Sequence, residues 1–279
     1  MARGESRPTV AERARTASAD GVDTCRVPGC SRITQRAAGN GLSAYYCKPH
    51  VNHNARHGSY WLPSLKATDL KPYRRAARAW LDKHKSDEQV RTFTRELDGL
   101  LRLGAGQDGG LKGLGATDKA RATLGRLHAS GVTGTVLLEV ALAVASLIAS
   151  RGIISTEYLE VQMAKVLTRM HAPSRASAWR PSESRARTTG RGLRVLGHHV
   201  WFMAAFVGTR DVLTEVAEAA MPFVGPAQRA EARRQSANAQ SRAMYDAIER
   251  QILRAREYGM GPAELDEMRT TLRQRYGLK

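Results

Sequence analysis

Residues 25–50 read CRVPGCSRITQRAAGNGLSAYYCKPH and contain all three cysteines of this 279-residue chain. The cysteines and the histidine after them form two short pairs: four residues separate Cys25 from Cys30, and two separate Cys47 from His50. Two short pairs joined by a longer loop are typical of tetrahedral zinc sites, in which each pair approaches the metal from a tight turn. The spacing predicts a small zinc-binding module with one Zn²⁺ ion bound by Cys25, Cys30, Cys47 and His50.

The predicted site is structural, because three thiolates and one imidazole leave no coordination position for an activated water. His53 and His57 lie nearby and are alternative candidates for the fourth zinc ligand, although His50 has the usual two-residue spacing. Three free thiols beside an unrelated histidine are the alternative interpretation. A disulfide framework is disfavoured, because the cysteine count is odd and the N-terminal sequence lacks an apolar signal segment.

The motif around the second pair resembles a known zinc module. Tyr46-Cys47-Lys48-Pro49-His50, followed by Arg56-His57-Gly58-Ser59, resembles the YCxxHxxRxxRHG signature of small zinc modules in phage and mobile-element proteins. Many of those proteins are assigned as HNH homing endonucleases, in which the module is an accessory to DNA binding. The resemblance covers residues 23–61 and departs from the signature at 52–54, where NHN replaces the usual arginines. It implies association with DNA and a phage or mobile-element setting.

Nuclease activity is a separate hypothesis. An HNH centre needs a histidine general base and a second metal-binding histidine or asparagine on a hairpin followed by a helix. The dense His/Asn run of this chain spans residues 50–57, and His50 is already assigned to zinc. His53 and His57 are therefore the candidate catalytic residues of this alternative, on a run too short for a hairpin and a helix.

Charge points to a polyanionic partner. Lys and Arg number 44, of which 35 are Arg, against 26 Asp and Glu, and the formal net charge is +18. The arginine guanidinium can donate two hydrogen bonds to one phosphate group, so nucleic acid is the favoured partner. An acidic membrane surface or an acidic protein is the alternative. The apolar run 132–149 is interrupted by Glu139 and predicts a buried helix instead of a membrane span. A cytoplasmic protein of a bacterium or phage-infected cell is expected.

Basic residues concentrate in three regions, and double-stranded DNA is the expected ligand of all three. Segment 66–85 has seven basic and two acidic residues, and 169–194 has seven Arg and one Glu. A solvated helix face and an unliganded hinge are the respective alternatives. The candidate nucleic-acid contacts are Arg26, Arg32, Arg36, Lys48 and Arg56 in the module, Arg74, Arg75 and Arg78 after it, and Arg175, Arg180, Arg185, Arg187 and Arg191 in the loop.

Hydrophobic periodicity predicts a mainly α fold, in which the zinc module precedes an all-α multi-helix body. Helices are expected over 117–129, 134–150 and 156–171, over 211–220 and from Pro262 onward, and another begins after Ser86 as N-cap. The apolar run 193–207, with Trp201, Phe202 and Phe206, is expected to be buried. The predicted organisation is a basic arm at 1–20, the zinc module at 21–62, a basic helical segment at 63–103, a Gly-rich linker at 104–116, and an all-α domain at 117–279 with a basic loop at 169–194 and a long helix at 226–258.

Three functions are compatible with these features. The favoured one is a zinc-stabilised DNA-binding protein of phage or mobile-element type. The alternatives are an HNH-type homing endonuclease and a structural or packaging protein with a basic surface. The long helix 226–258 also suits a homodimer interface.

Overall fold

The computed structural model describes residues 24–104, 113–170 and 191–275, apart from 28, 40, 42, 227 and several positions between 232 and 257. Within these residues the secondary structure is helical except for one isolated antiparallel bridge between Thr24 and Ile33, so the predicted all-α body is confirmed. The helices are α1 (Lys48–His57), α2 (Ala67–Lys83), α3 (Glu88–Leu103), α4 (Ala116–Ala129), α5 (Gly134–Ser150), α6 (Thr156–Met170), α7 (Arg191–Ala204), α8 (Arg210–Ala220) with a 3-10 turn at Met221–Phe223, and α9 (Pro262–Arg275).

The chain divides into two compact units. The first takes the described residues of Met1–Lys66, Leu81–Ala141 and Ser155–Val207, and the second those of Ala67–Trp80, Leu142–Ile154 and Gly208–Lys279. The metal-ligand candidates and α6 therefore belong to the same unit.

The first unit is built around the pair α6 and α7. Their backbones meet at Gly197, where an added Cβ would lie 1.9 Å from the carbonyl oxygen of Glu160. Only glycine allows this approach. α4 packs against α7 and α3 packs against α4. Leu127, Met163 and Leu196 are fully buried between these helices, which gives α6 a rigid support.

The second unit contains a buried ion pair. Arg151 Nη2 lies 2.9 Å from Asp69 Oδ2, and the two side chains are only 4% and 12% exposed. Beside it, the Tyr73 and Ser150 hydroxyls are 2.9 Å apart. Removing one member of such a pair leaves an uncompensated buried charge, so the pair fixes how these segments pack.

Pro72 lies inside α2 and cannot donate to the carbonyl oxygen four residues earlier. That oxygen belongs to Thr68, and it accepts a hydrogen bond from Gln228 Nε2 at 3.1 Å. Gln228, a residue of the second unit, thus supplies the hydrogen bond to the Thr68 carbonyl that Pro72 cannot donate.

Two sequence-based details are wrong. The N-cap of α3 is Asp87 instead of Ser86, because the Asp87 carboxylate accepts from the Gln89 backbone N–H at 2.8 Å. Phe202 and Phe206 are 56% and 48% exposed, whereas Leu196 and Val200 on the same run are buried as predicted. Phe202 lies on the outward face of α7, and Phe206 follows the end of the helix and stacks on Phe93 with ring centroids 4.7 Å apart.

Several predicted segments lie outside the described residues: the arm 1–20, most of the linker 104–116, and 171–190 of the basic loop. Every described position from 226 to 255 is helical, and Ile248 and Ile252 there are buried. The predicted domain boundaries and homodimer stay predictions. Over the described ranges, no single helix is long and apolar enough to cross a membrane; α4 and α5 reach that length only as a pair bent by 117°.

Candidate metal centre

The first ligand pair lies at the two ends of a tight turn. The Cys30 N–H donates to the Val27 carbonyl at 2.9 Å, and the Cys25 N–H donates to the Arg32 carbonyl at 2.8 Å. Gly29 has φ +76°, a conformation that glycine adopts without steric cost. The turn thereby brings the Cys25 and Cys30 side chains to the same side of the backbone.

The second pair lies at the start of α1. Cys47 is the N-cap, with extended backbone angles, and Pro49 occupies the first turn, where its missing N–H costs nothing. His50 follows within that turn, so its ring lies beside the Cys47 thiol. A proline-initiated helix is therefore the local device that pairs Cys47 with His50.

The four side chains converge on one point. Their ligand atoms all lie within 4.8 Å of one another, and no other such group of three or more His, Cys, Asp or Glu occurs in the part of the chain that the structure describes. His50 Nδ1 is 3.2 Å from Cys25 Sγ and 3.3 Å from Cys47 Sγ, and Cys30 Sγ is 4.0 Å from Cys47 Sγ. Tetrahedral zinc requires S···N edges of about 3.5 Å and S···S edges of about 3.8 Å. The cluster could hold one metal ion.

The cluster is enclosed by apolar side chains. Cys25, Val27 and Cys47 are buried, with Tyr46, Tyr60 and Trp61 packed against them. The rings of Tyr46 and Tyr60 stack with centroids 3.6 Å apart. This packing excludes water from one side of the site.

The two buried thiols have different acidities. Burial raises the pKa of the Cys25 thiol above its ordinary value. Burial also acts to raise the pKa of Cys47, but the backbone of His50, the Cys25 and Cys30 thiols and the charge of Arg32 together lower it. The environment of Cys47 therefore favours the thiolate, which is the form that ligates metal.

The charged residues of the module are almost all cationic. Residues 21–62 contain five Lys and Arg and one acidic residue, Asp23. On α1, Lys48, Asn52 and Arg56 recur every four residues and are exposed, so they form one outward stripe. His50, Asn54 and His57 lie on the opposite, inward side. Arg32 is also exposed, whereas Arg26 lies over the ring of Tyr45 at 3.9 Å and Arg36 is half-buried.

His53 and His57 take part in packing contacts. His53 Nδ1 lies 2.7 Å from the Ser59 carbonyl oxygen, and its ring stacks on that of His57 with centroids 4.2 Å apart. His57 Nδ1 lies 2.8 Å from Ser64 Oγ. Burial, with Lys165, His53 and Arg56, lowers the pKa of His57 to about 4, so it is neutral at pH 7.

The other predicted nucleic-acid contacts are spread over the chain. Arg75 and Arg78 on α2 are exposed, with Arg75 lying 4.4 Å from the ring of Phe223, and Arg74 is half-buried. Arg191 is exposed at the start of α7. The remaining four, Arg175, Arg180, Arg185 and Arg187, lie outside the described residues.

The sequence did not reveal that the module is held against α6. Asn54 Nδ2 donates to Glu157 Oε1 at 3.0 Å, Gln162 Nε2 donates to the His57 carbonyl at 2.8 Å, and the Leu65 N–H donates to Gln162 Oε1 at 2.9 Å. These partners are separated by about a hundred residues along the chain. A short-range sequence pattern cannot predict hydrogen bonds between residues so far apart.

Comparison with protein-family models, curated proteins and solved structures finds no match for this chain.

Proposed function

We propose that this protein is a zinc-stabilised nucleic-acid-binding protein, with double-stranded DNA as its partner. The observation that carries the proposal is the joint placement of the ligand cluster and the cationic stripe on α1. Its first turn supplies Cys47 and His50 to the metal, and its opposite side presents Lys48, Asn52 and Arg56 to solvent.

Zinc is the metal that suits this donor set. Soft thiolates with one imidazole in a tetrahedral arrangement select Zn²⁺, and a closed shell of four protein ligands makes the site structural. The metal would replace the core that so short a segment cannot build from apolar residues alone. The resemblance of the module to the zinc modules of phage and mobile-element proteins supports the same assignment and a cytoplasmic location.

Electrostatics favours a phosphate polymer. Three thiolates and Zn²⁺ together remove one charge, so the five basic residues of 21–62 still leave the module positive. Asp23 is the one carboxylate in that sequence. If the protein contacts 6–10 phosphates, raising the salt concentration from 50 to 200 mM should lower its affinity for DNA by about 10³- to 10⁵-fold.

A charge-neutralised α1 tests the proposal. The Lys48→Gln/Arg56→Gln double variant is expected to weaken duplex DNA binding and to reduce the slope of log affinity against log salt by about 0.9 for each lost phosphate contact. Arg91→Gln/Arg102→Gln is the matched control, because both arginines are exposed on α3 of the same unit. If the two double variants have the same slope of log affinity against log salt, α1 is not part of the DNA interface.

Binding and nicking assays together separate the alternative functions. Equal affinity for duplexes of unrelated sequence indicates a packaging role. Magnesium-dependent nicking of plasmid DNA that is lost in His53→Ala or His57→Ala indicates an endonuclease. Binding that prefers one duplex, without nicking, supports the proposed function.

A further inference from the structure

Three polar side chains meet where the metal module rests on α6. Lys165 Nζ lies 2.6 Å from Ser64 Oγ and 3.2 Å from His57 Nδ1, and the latter two atoms are 2.8 Å apart. His57 ends α1, Ser64 lies in the loop after it, and Lys165 projects from α6. All three side chains are half-buried, so the group can still be reached from solvent.

The loop that carries Ser64 is fixed on both sides. The Tyr158 hydroxyl donates to the Pro63 carbonyl at 2.6 Å, and Gln162 bonds to the backbones of both His57 and Leu65. Tyr158, Gln162 and Lys165 lie on successive turns of α6 and form one line along it. The polar group is therefore preorganised, with little ordering left to occur when a ligand binds.

Several positive charges lie at this joint in the described part of the protein. Among the described residues, no carboxylate pairs with Lys165, Arg56 or Arg169. Burial and the neighbouring Arg169 lower the pKa of Lys165 to about 8. A half-buried ammonium held next to further cations is a local electrostatic cost that a bound anion would offset.

The donors suit a tetrahedral oxyanion. Lys165 offers ammonium hydrogens, and the neutral His57 ring can accept one of them. When Lys165 donates to both neighbours, the Ser64 hydroxyl hydrogen is free to point at an incoming anion. Arg169 lies one turn further along α6 and is exposed, and the exposed Arg56 belongs to the outward stripe of α1. Ammonium, hydroxyl and guanidinium are the usual ligands of a phosphate group.

The sequence indicates that this phosphate belongs to a polymer. The chain continues from α6 directly into residues 171–190, which contain four Arg and one Glu. We propose that Lys165, Ser64 and Arg169, with Arg56 at the edge, form a phosphate site at the joint between the metal module and α6, and that it binds one backbone phosphodiester of the nucleic acid. This inference rests on the proposed function and extends the interface from α1 to α6.

Lys165→Met in the full-length protein tests the site. It removes the charge, and the Ser64 hydroxyl can then donate to His57 Nδ1. We expect about tenfold weaker binding to duplexes of any sequence and a salt slope smaller by about 0.9, since one phosphate contact is lost. Lys165→Arg should retain the slope, and Arg91→Gln should match the wild type. Metal content should stay close to wild type in all three variants, and Lys165→Met should not lower the Tm.

Two outcomes would overturn the inference, and they differ in what they mean for the proposed function. If the wild-type protein binds DNA and Lys165→Met binds it with an unchanged affinity and salt slope, the site is wrong and the proposed function stands. A second outcome is that neither the wild type nor any variant binds nucleic acid, but inorganic phosphate raises the Tm of the wild type and not that of Lys165→Met. The ligand is then a free anion. That result overturns the assignment to a phosphodiester together with the proposed function.

Discussion

Asn54 Nδ2 donates a hydrogen bond to Glu157 Oε1 at 3.0 Å and so joins the metal-binding helix to α6 across 103 residues of sequence. Glu157 also pairs with Arg194 on α7. One carboxylate therefore links three helices, and the position of the metal module depends on the helical body as well as on its own ligands.

This link predicts a measurable coupling. Asn54→Ala should reduce the free energy of unfolding by about 1 kcal/mol, because the Glu157 carboxylate loses one donor but keeps Arg194. A double-mutant cycle with Glu157→Ala, which removes the acceptor, followed by chemical denaturation, isolates the pairwise part. Asn52→Ala, on the exposed side of the same helix, is the control and should change the stability by less than about 0.5 kcal/mol. Independent effects of Asn54 and Glu157 would contradict the link.

Metal content follows from the four-ligand cluster. Elemental analysis should find about one zinc per chain, and His50→Gln or Cys47→Ser should reduce it strongly, since three ligands bind far less tightly than four. Both variants should also lose the fold of the module and their affinity for DNA, because α1 begins at these ligands. His128→Gln, at an exposed histidine of α4, is the matched control. A folded, metal-free wild-type preparation would rule out the centre.

Gly58 combines a backbone and a contact requirement. Its φ is +73°, and an added Cβ would lie 2.6 Å from the Glu157 carbonyl oxygen. Gly58→Ala should therefore destabilise the protein by more than the ~1 kcal/mol typical of the left-handed conformation alone. Gly131→Ala separates the two contributions, because Gly131 has φ +77° with nothing within 4 Å of the added Cβ. Similar Tm losses in both variants would show that the contact with α6 is unimportant.

Lys165 predicts a pH dependence of stability. Its folded pKa is about 8, below the ordinary value of 10.5, so the unfolded chain binds more protons between those values. Stability from this group therefore rises as the pH rises from 8 to 10.5, and its destabilising effect is complete below pH 8. Relative to Lys165→Met, the wild type should gain Tm across that window. A parallel pH dependence of the two proteins would show that Lys165 titrates normally.

The sequence predicts those features that depend on neighbours along the chain. The ends of α5 match the predicted 134–150, and the four predicted ligands lie together, because short spacings and turn residues determine both. The apolar composition of 193–207 also predicts burial, and Leu196 and Val200 in this run are buried. The prediction from the same apolar run is wrong for Phe202 and Phe206, because composition alone does not show that Phe202 lies on the outward face of α7 or that α7 ends before Phe206.

Long-range features could not be predicted. The link from Asn54 to Glu157, the group around Lys165 and the hydrogen bond from Gln228 to the Thr68 carbonyl each join residues about 100 to 160 positions apart. Their sequence signals are single polar residues on helices, which are ordinarily solvated. Only the packing of α1 against α6, where Gly58 lies close to the Glu157 carbonyl, brings the first two sets together.

The ten residues of α1 have few positions that are free to vary. Metal ligation, contact with α6 and the cationic stripe together account for His50, Asn54, His57, Lys48 and Arg56. Ala55 is exposed and belongs to none of these sets. A saturation library of this helix, selected for function, should therefore be depleted at those five codons and stay diverse at Ala55, so that the tolerated substitutions in one short segment report on all three of its tasks.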